Sequence, residues 1–227
     1  MDTWKQQLYD VRECARLQAL LDAQCQVVFR DGAPRARRHN NGKQSFAVEE
    51  QGEPRFGIDP ITQRRTIAYP LYYYPGALPA LVGPWRPVVI EIRDAVDQLT
   101  GQRSSFVNVK KYPPKGSMSL HADKAENWRP GTGVAIISFG YTRIFEIREQ
   151  TGPNSSKLIR SVEMKPGMVL FLGPETNAAY KHCVKPLTSD KQRRAARDRW
   201  SLQFREVIVY QDPRAMTDDE LDFFGST

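Results

Sequence analysis

Histidine and cysteine are scarce, at three residues each in a chain of 227. Cys14, Cys25 and Cys183 are an odd number at no metal-ligand spacing, which argues against a disulfide framework or a cysteine-bound zinc module. They read as free thiols without a catalytic role, in a reducing compartment. No apolar run approaches the length that spans a bilayer. The opening MDTWKQQLYDVREC carries charges where a signal peptide would be apolar. The expectation is an intracellular protein of the cytoplasm or nucleus, without membrane association. Internal repeats and low-complexity tracts are also missing. Acids are in deficit, 26 against 33 Lys and Arg, and the resulting charge of +7 favours an anionic partner.

The positive charge is clustered. RDGAPRARRHNNGK (30–43), QRR (63–65), VKKY (109–112) and KQRRAARDR (191–199) are basic runs, each of which could also be a solvated loop. Apolar residues at Trp4, Leu8, Val11, Cys14, Leu17 and Leu21 predict an amphipathic helix over 3–25. Val88, Val89, Ile92, Val96 and Leu99, followed by Gly101, predict a second over 86–100. Between them AYPLYYYPGALPALVGPW crowds prolines and aromatics and reads as irregular chain with brief extended pieces at most.

From about residue 104 the pattern changes to short β-type runs: SSFVNVKKY, SMSLHAD, GVAIISFG, TRIFEIRE, KLIRSVEM, MVLFLG and RWSLQFREVIVY. Turn sequences such as PPKG, RPGTG and KPG separate them. Strands at this spacing predict a sandwich or jelly roll. The tail, MTDDELDFFGST, predicts a short helix or a frayed end.

Within SMSLHADK, His121 and Asp123 are two apart, so on a strand they would project to one side. An isolated H-x-D is commonly a chance pair, but His182 follows MVLFLG in AAYKHCVKPL. Two histidines and a carboxylate bind one face of an octahedral Fe(II) and leave three positions open; a zinc site of similar ligand count is chemically feasible too. Arg199 and Arg205 in RWSLQFR are six residues apart and face one side of a strand. Two inward arginines are costly without anions, and a small dicarboxylate would match them.

With these residues together, the chain resembles the AlkB family of Fe(II)- and 2-oxoglutarate-dependent dioxygenases over roughly 104–207. SLHADK is similar to the family's S-L-H-x-D-K, AIISFGYTRIFEI to its strand ending in serine, an apolar residue and glycine before an I-F pair, and AAYKHCVKPL to its distal-histidine stretch. RWSLQFR matches its R-x5-R. The resemblance implies mostly β architecture with flanking helices: a double-stranded β-helix (jelly roll) core with N-terminal helices and a nucleotide-recognition lid. The whole chain, 1–227, would be one domain, with helices and lid over 1–103, the core over 104–210 and a tail over 211–227. It further implies iron on His121, Asp123 and His182, and 2-oxoglutarate on Arg199 and Arg205, with O2 as the oxidant. Tyr112 would hydrogen-bond the co-substrate. Lys110 stands where the family has asparagine, Asn108 being the other candidate, and Ser201 stands where the bacterial prototype has asparagine. Ala125 replaces a second acid that helps to recognise the base, with Glu126 beside it as a substitute.

The implied activity is oxidative demethylation of N-alkylated bases in DNA or RNA, in which a hydroxylated N-methyl group collapses to formaldehyde and free base. Succinate and CO2 accompany it. Such an enzyme needs single strands or a flipped base, with stacking groups at the pocket. The segment 35–85, including Arg37, Arg38, His39, Phe46, Arg64, Arg65, Tyr69, Tyr72 and Tyr74, holds the family's variable lid position. Of these, Arg37, Arg38, Tyr69, Tyr72 and Tyr74, together with Glu126, are the substrate-binding candidates; His39 reads as a polar loop residue. The expected state is a monomer. A hydroxylase of protein or small molecules, and an inactive nucleic-acid-binding jelly roll, are the alternative readings.

Overall fold

The computed structural model describes residues 2–25, 47–63, 65–72, 82–114 and 116–210. Its core is two facing sheets. Strands β6 (Phe106–Tyr112), β8 (Val134–Gly140), β11 (Met168–Leu172) and β13 (Arg199–Arg205) lie in the larger sheet. Strands β7 (Met118–His121), β9 (Arg143–Gly152), β10 (Ser155–Met164) and β12 (Lys181–Val184) form the smaller one, in the order β10-β9-β12-β7. Strands next to each other in sequence thus often cross from sheet to sheet, as a jelly roll requires.

The larger sheet is wider than the seven runs imply. β1 (Thr3–Gln7) adds to one side, and β2 (Ala47–Gly52) and β5 (Val82–Pro84) to the other, giving the order β1-β11-β8-β13-β6-β2-β5. β1 corrects the helix expected over 3–25. Asp10 is extended (φ −74°, ψ 178°) and its carboxylate accepts from the Glu13 N–H at 2.8 Å, so the helix α1 runs only over Val11–Gln24. The preceding TWKQQ pairs antiparallel with β11. Trp4 stacks on Phe171 at 5.3 Å and joins the core that α1 covers, so a strand and a helix packed on one surface mimic a single helical periodicity.

Helix α2 (Pro87–Thr100) forms as expected, with proline in its first turn and Gly101 closing it at φ 73°. Two shorter helices, α3 (Pro174–Ala179) and α4 (Asp190–Ala195), flank β12. α4 carries part of the last basic run, and Ser189 and Gln192 make a capping box at its start. Within the expected lid, β3 (Arg55–Ile58) and β4 (Arg65–Ala68) pair as a two-stranded ribbon, exposed along β3, with Ile67 of β4 packed against the core. Arg37, Arg38, His39, Phe46, Arg64, Tyr74 and the tail from 211 lie outside the described residues. Among the described residues no helix is long and apolar enough to cross a membrane.

Alternation along β13 explains how the larger sheet is buried on both faces. Trp200, Leu202 and Phe204 pack with Leu17, Leu21, Val88, Val89 and Ile92 of the helices. At roughly 1.5–3 kcal/mol for each large apolar side chain, this layer holds the sheet against its helices. Arg199, Ser201 and Arg205 face the opposite way, into the space between the sheets.

Gly140 ends β8 at φ 85°, and a Cβ there would lie 2.4 Å from the Asp198 carbonyl oxygen, just before β13. Gly140→Ala is therefore expected to cost about 2 kcal/mol or more, from left-handed backbone strain and displacement of the Asp198–Arg199 segment, as measured by urea unfolding.

Candidate active site

His121 ends β7 and His182 lies near the start of β12, and the two are direct antiparallel partners. Their rings are 4.3 Å apart. Cross-strand pairing therefore brings together histidines separated by sixty residues of sequence. Asp123 is not on the strand, which stops at His121; strand alternation does not aim it. Asn177 of α3 does so instead: the Asp123 N–H donates to its Oδ1 at 3.0 Å and its Nδ2 donates to the Asp123 carbonyl at 2.9 Å. One ligand atom from each of His121, Asp123 and His182 lies within 4.8 Å of the others.

The ring orientations suit a metal. His121 Nδ1 is 2.8 Å from the Ser119 carbonyl, which fixes the proton there and leaves Nε2, 3.7 Å from Asp123 Oδ1, as the ligand atom. Phe145 stacks on His182 at 5.3 Å and 17°.

Electrostatics keep all three groups in ligand form. Burial raises the Asp123 carboxyl, but the Arg205 charge, then His182 and His121, outweigh it and hold the group well below the usual carboxylate range. The Arg205 Nη2 donates to Asp123 Oδ2 at 2.8 Å. Burial first, then the neighbouring His121, pushes His182 down to about 3, and burial likewise lowers His121. Lys110, buried where the family pattern has asparagine, adds its charge to the lowering at both rings. Two neutral imidazoles and one carboxylate result, the donor set for Fe(II) with open coordination positions.

A second group waits deeper in the chamber. Arg199 is 2% exposed, sits 5.3 Å from the Tyr112 ring, and donates through Nη2 to Ser138 Oγ at 2.7 Å. Ser201 Oγ is a longer partner at 3.5 Å. Its Nε and Nη1 have no hydrogen-bond partner, and it makes no ion pair among the described residues. Burial pushes its pKa down to about 10. A buried guanidinium with spare donors fits the carboxylate of a bound acid. The residues present thus fit both Fe(II) and 2-oxoglutarate.

Tyr112 on β6 and Ser201 on β13 are both buried, on the paired strands of the chamber wall. Asn108 is buried as well, but its Nδ2 is engaged with Glu50 at 3.4 Å. Arg205 serves Asp123, and the rings of Tyr72 and Trp128 lie 4.8 and 5.4 Å from it. Tyr72 and Tyr69 are 2% and 6% exposed and belong to the core, so the structure does not present them as open stacking platforms. Glu126 is exposed, 3.9 Å from Lys124, and Ala125 is exposed beside it. Asn177, Ser138, Phe145 and Trp128 are not among the site candidates of the sequence; Ser138 and Phe145 are the serine and the I-F phenylalanine of AIISFGYTRIFEI, to which no role is assigned there, and nothing local marks Asn177 or Trp128.

Residues 25–205 match the 2OG-Fe(II) oxygenase superfamily. The chain is 30% identical over 130 residues to the DNA oxidative demethylase ALKBH2 of Mus musculus, covering 55% of this chain and 52% of that protein. It is 28% identical over 136 residues to the alpha-ketoglutarate-dependent dioxygenase alkB homolog 3 of Bos taurus, covering 57% and 45%. The matched region thus spans about half the length of these curated relatives. Among solved structures, OsALKBH1 aligns with a TM-score of 0.54 at 18% identity, over 90% of this chain and 95% of that one, and shares the fold.

Asn177→Ala removes both hydrogen bonds that aim Asp123. It is expected to weaken Mn(II) binding about tenfold, measured by calorimetry, with the circular dichroism spectrum unchanged.

Proposed function

The chain belongs to the 2OG-Fe(II) oxygenase superfamily, as a 2-oxoglutarate-dependent dioxygenase of AlkB type, and from that premise we propose that it demethylates N-alkylated bases in nucleic acid. The observation that carries the reading is the buried His121–Asp123–His182 cluster beside an arginine with donors to spare. When bound, Fe(II), 2-oxoglutarate and O2 supply the oxidation of a substrate C–H bond, with succinate and CO2 as co-products.

The chain's own residues bind and orient. His121, Asp123 and His182 would hold the iron. Arg205 keeps Asp123 ionised. Arg199, with Tyr112 and Ser138 around it, would take the distal carboxylate of 2-oxoglutarate, and Phe145 packs His182 in place. A hydroxylated N-methyl group falls to formaldehyde and free base unaided, so no general base is asked of the chain.

Nucleic acid as partner is supported by the charge of +7 and by the DNA demethylase among the relatives. Lys191, Arg193, Arg194 and Arg197, on and just after α4, are exposed and available to phosphates. In this reading the segment 35–85 approaches the base, with Arg37, Arg38 and Tyr74 as contacts, while Tyr69 and Tyr72 support it from the core.

The test is mass spectrometry of N-methylated DNA and RNA oligonucleotides, single and double stranded, incubated with Fe(II), 2-oxoglutarate and O2. Iron-dependent methyl loss is expected on at least one substrate; succinate without methyl loss would remove the nucleic-acid claim. Asp123→Ala is expected to fall below about 1% of wild-type turnover while retaining oligonucleotide binding.

A further inference from the structure

Arg143 opens β9, and on that strand it shares a face with Phe145 and Ile147, both in the core between the sheets. Ile147 is paired with His182 and Phe145 with Val184, so Arg143 lies on the chamber side, at the end away from the metal ligands. Arg199 occupies the same end: it pairs with Gly140, three residues before Arg143, and with Tyr112.

Arg143 is 3% exposed. Its Nη2 donates to the Lys185 carbonyl at 2.5 Å, its Nε has no hydrogen-bond partner, and it forms no ion pair among the described residues. Two buried guanidiniums therefore share one end of the chamber, with no carboxylate among the described residues paired to either. Burial lowers the proton affinity of both; Tyr112 opposes this at each, Tyr141 also at Arg143, and Arg143 adds to the lowering at Arg199. Burying one unpaired cation is costly, and burying a second beside it more so, unless an anion belongs between them.

We propose that Arg143 is a second cation for the distal carboxylate of 2-oxoglutarate, so that this enzyme's demand for a diacid is set by Arg143 together with Arg199. The inference rests on the assignment of that carboxylate to Arg199. Three unpartnered N–H groups, Arg143 Nε and Arg199 Nε and Nη1, are donors that one carboxylate's lone pairs can accept. Arg143 also forms part of the wall of a surface cavity of about 510 Å³, together with Tyr141, Lys185 and Gln192. If Arg143 served an anion held in that cavity instead, its loss would leave the preference for a diacid intact.

The experiment is calorimetric binding of 2-oxoglutarate and of 2-oxopentanoate, which lacks the distal carboxylate, to Mn(II)-loaded protein without O2. Wild type is expected to prefer the diacid by about a hundredfold or more. Arg143→Met is expected to lose about tenfold in affinity for 2-oxoglutarate with little change for 2-oxopentanoate, so the preference contracts. That ratio is read on folded, metal-loaded protein, and general damage would lower both affinities alike. Arg143→Lys keeps the charge without the planar fork; an intermediate ratio is expected, and this variant carries the test if Arg143→Met does not fold. An undiminished preference in the variants would overturn the role of Arg143 alone. A wild type without preference for the diacid would remove the Arg199 assignment and this inference together.

Discussion

The ion pair between Arg205 and Asp123 is the interaction on which the rest of the site depends. Both side chains are nearly out of solvent, at 1% and 5% exposure, with 2.8 Å between Nη2 and Oδ2. A carboxyl buried alone would take up a proton and cease to be a metal ligand. Arg205 prevents that, and its own charge is sheathed by the rings of Tyr72 and Trp128. Taken as a stabilising contact the pair is worth little, since desolvation offsets much of its Coulomb energy. Its value is chemical: it holds one oxygen of Asp123 while the other faces His121.

That arrangement requires β13 to do two opposite things. Its even-numbered residues, Trp200, Leu202 and Phe204, are committed to the helix layer; its odd-numbered residues bring Arg199, Ser201 and Arg205 into the chamber. A slip of one residue in its pairing with β6 and β8 would bury three guanidinium or hydroxyl groups under the helices and turn Trp200, Leu202 and Phe204 into the chamber. The apolar face thus fixes the register that the polar face needs. Gly140 and the Asp198 carbonyl close the same end of the strand, so the position of Arg199 is set by backbone as well as by packing.

Much of this was legible in the sequence because it is periodic or clustered. The β-branched runs from 106 to 205 became strands, and the H-x-D, the distal histidine and the R-x5-R converged on one chamber. What was hidden depends on contacts across long stretches of chain. β1 was read as helix because Trp4 and Leu8 pack on the surface that α1 also covers. Asp123 was expected to be aimed by strand alternation, whereas Asn177, 54 residues away, aims it. Tyr69 and Tyr72 looked like stacking groups in an aromatic segment, but they are core residues, and composition alone does not distinguish a ring facing a base from one facing an arginine. The serine behind Arg199 and the arginine at the head of β9 lie within AIISFGYTRIFEI, but a motif does not say which side chains its residues meet across the chamber.

The central claim is that one cluster of His121, Asp123 and His182 forms a divalent-metal site inside the jelly roll. Its most direct test is an anaerobic Mn(II) titration followed by electron paramagnetic resonance, on wild type and on His182→Ala. The account predicts a single ion bound per wild-type chain and no stoichiometric binding to the variant. Binding that survives in His182→Ala with unchanged affinity and spectrum would contradict it.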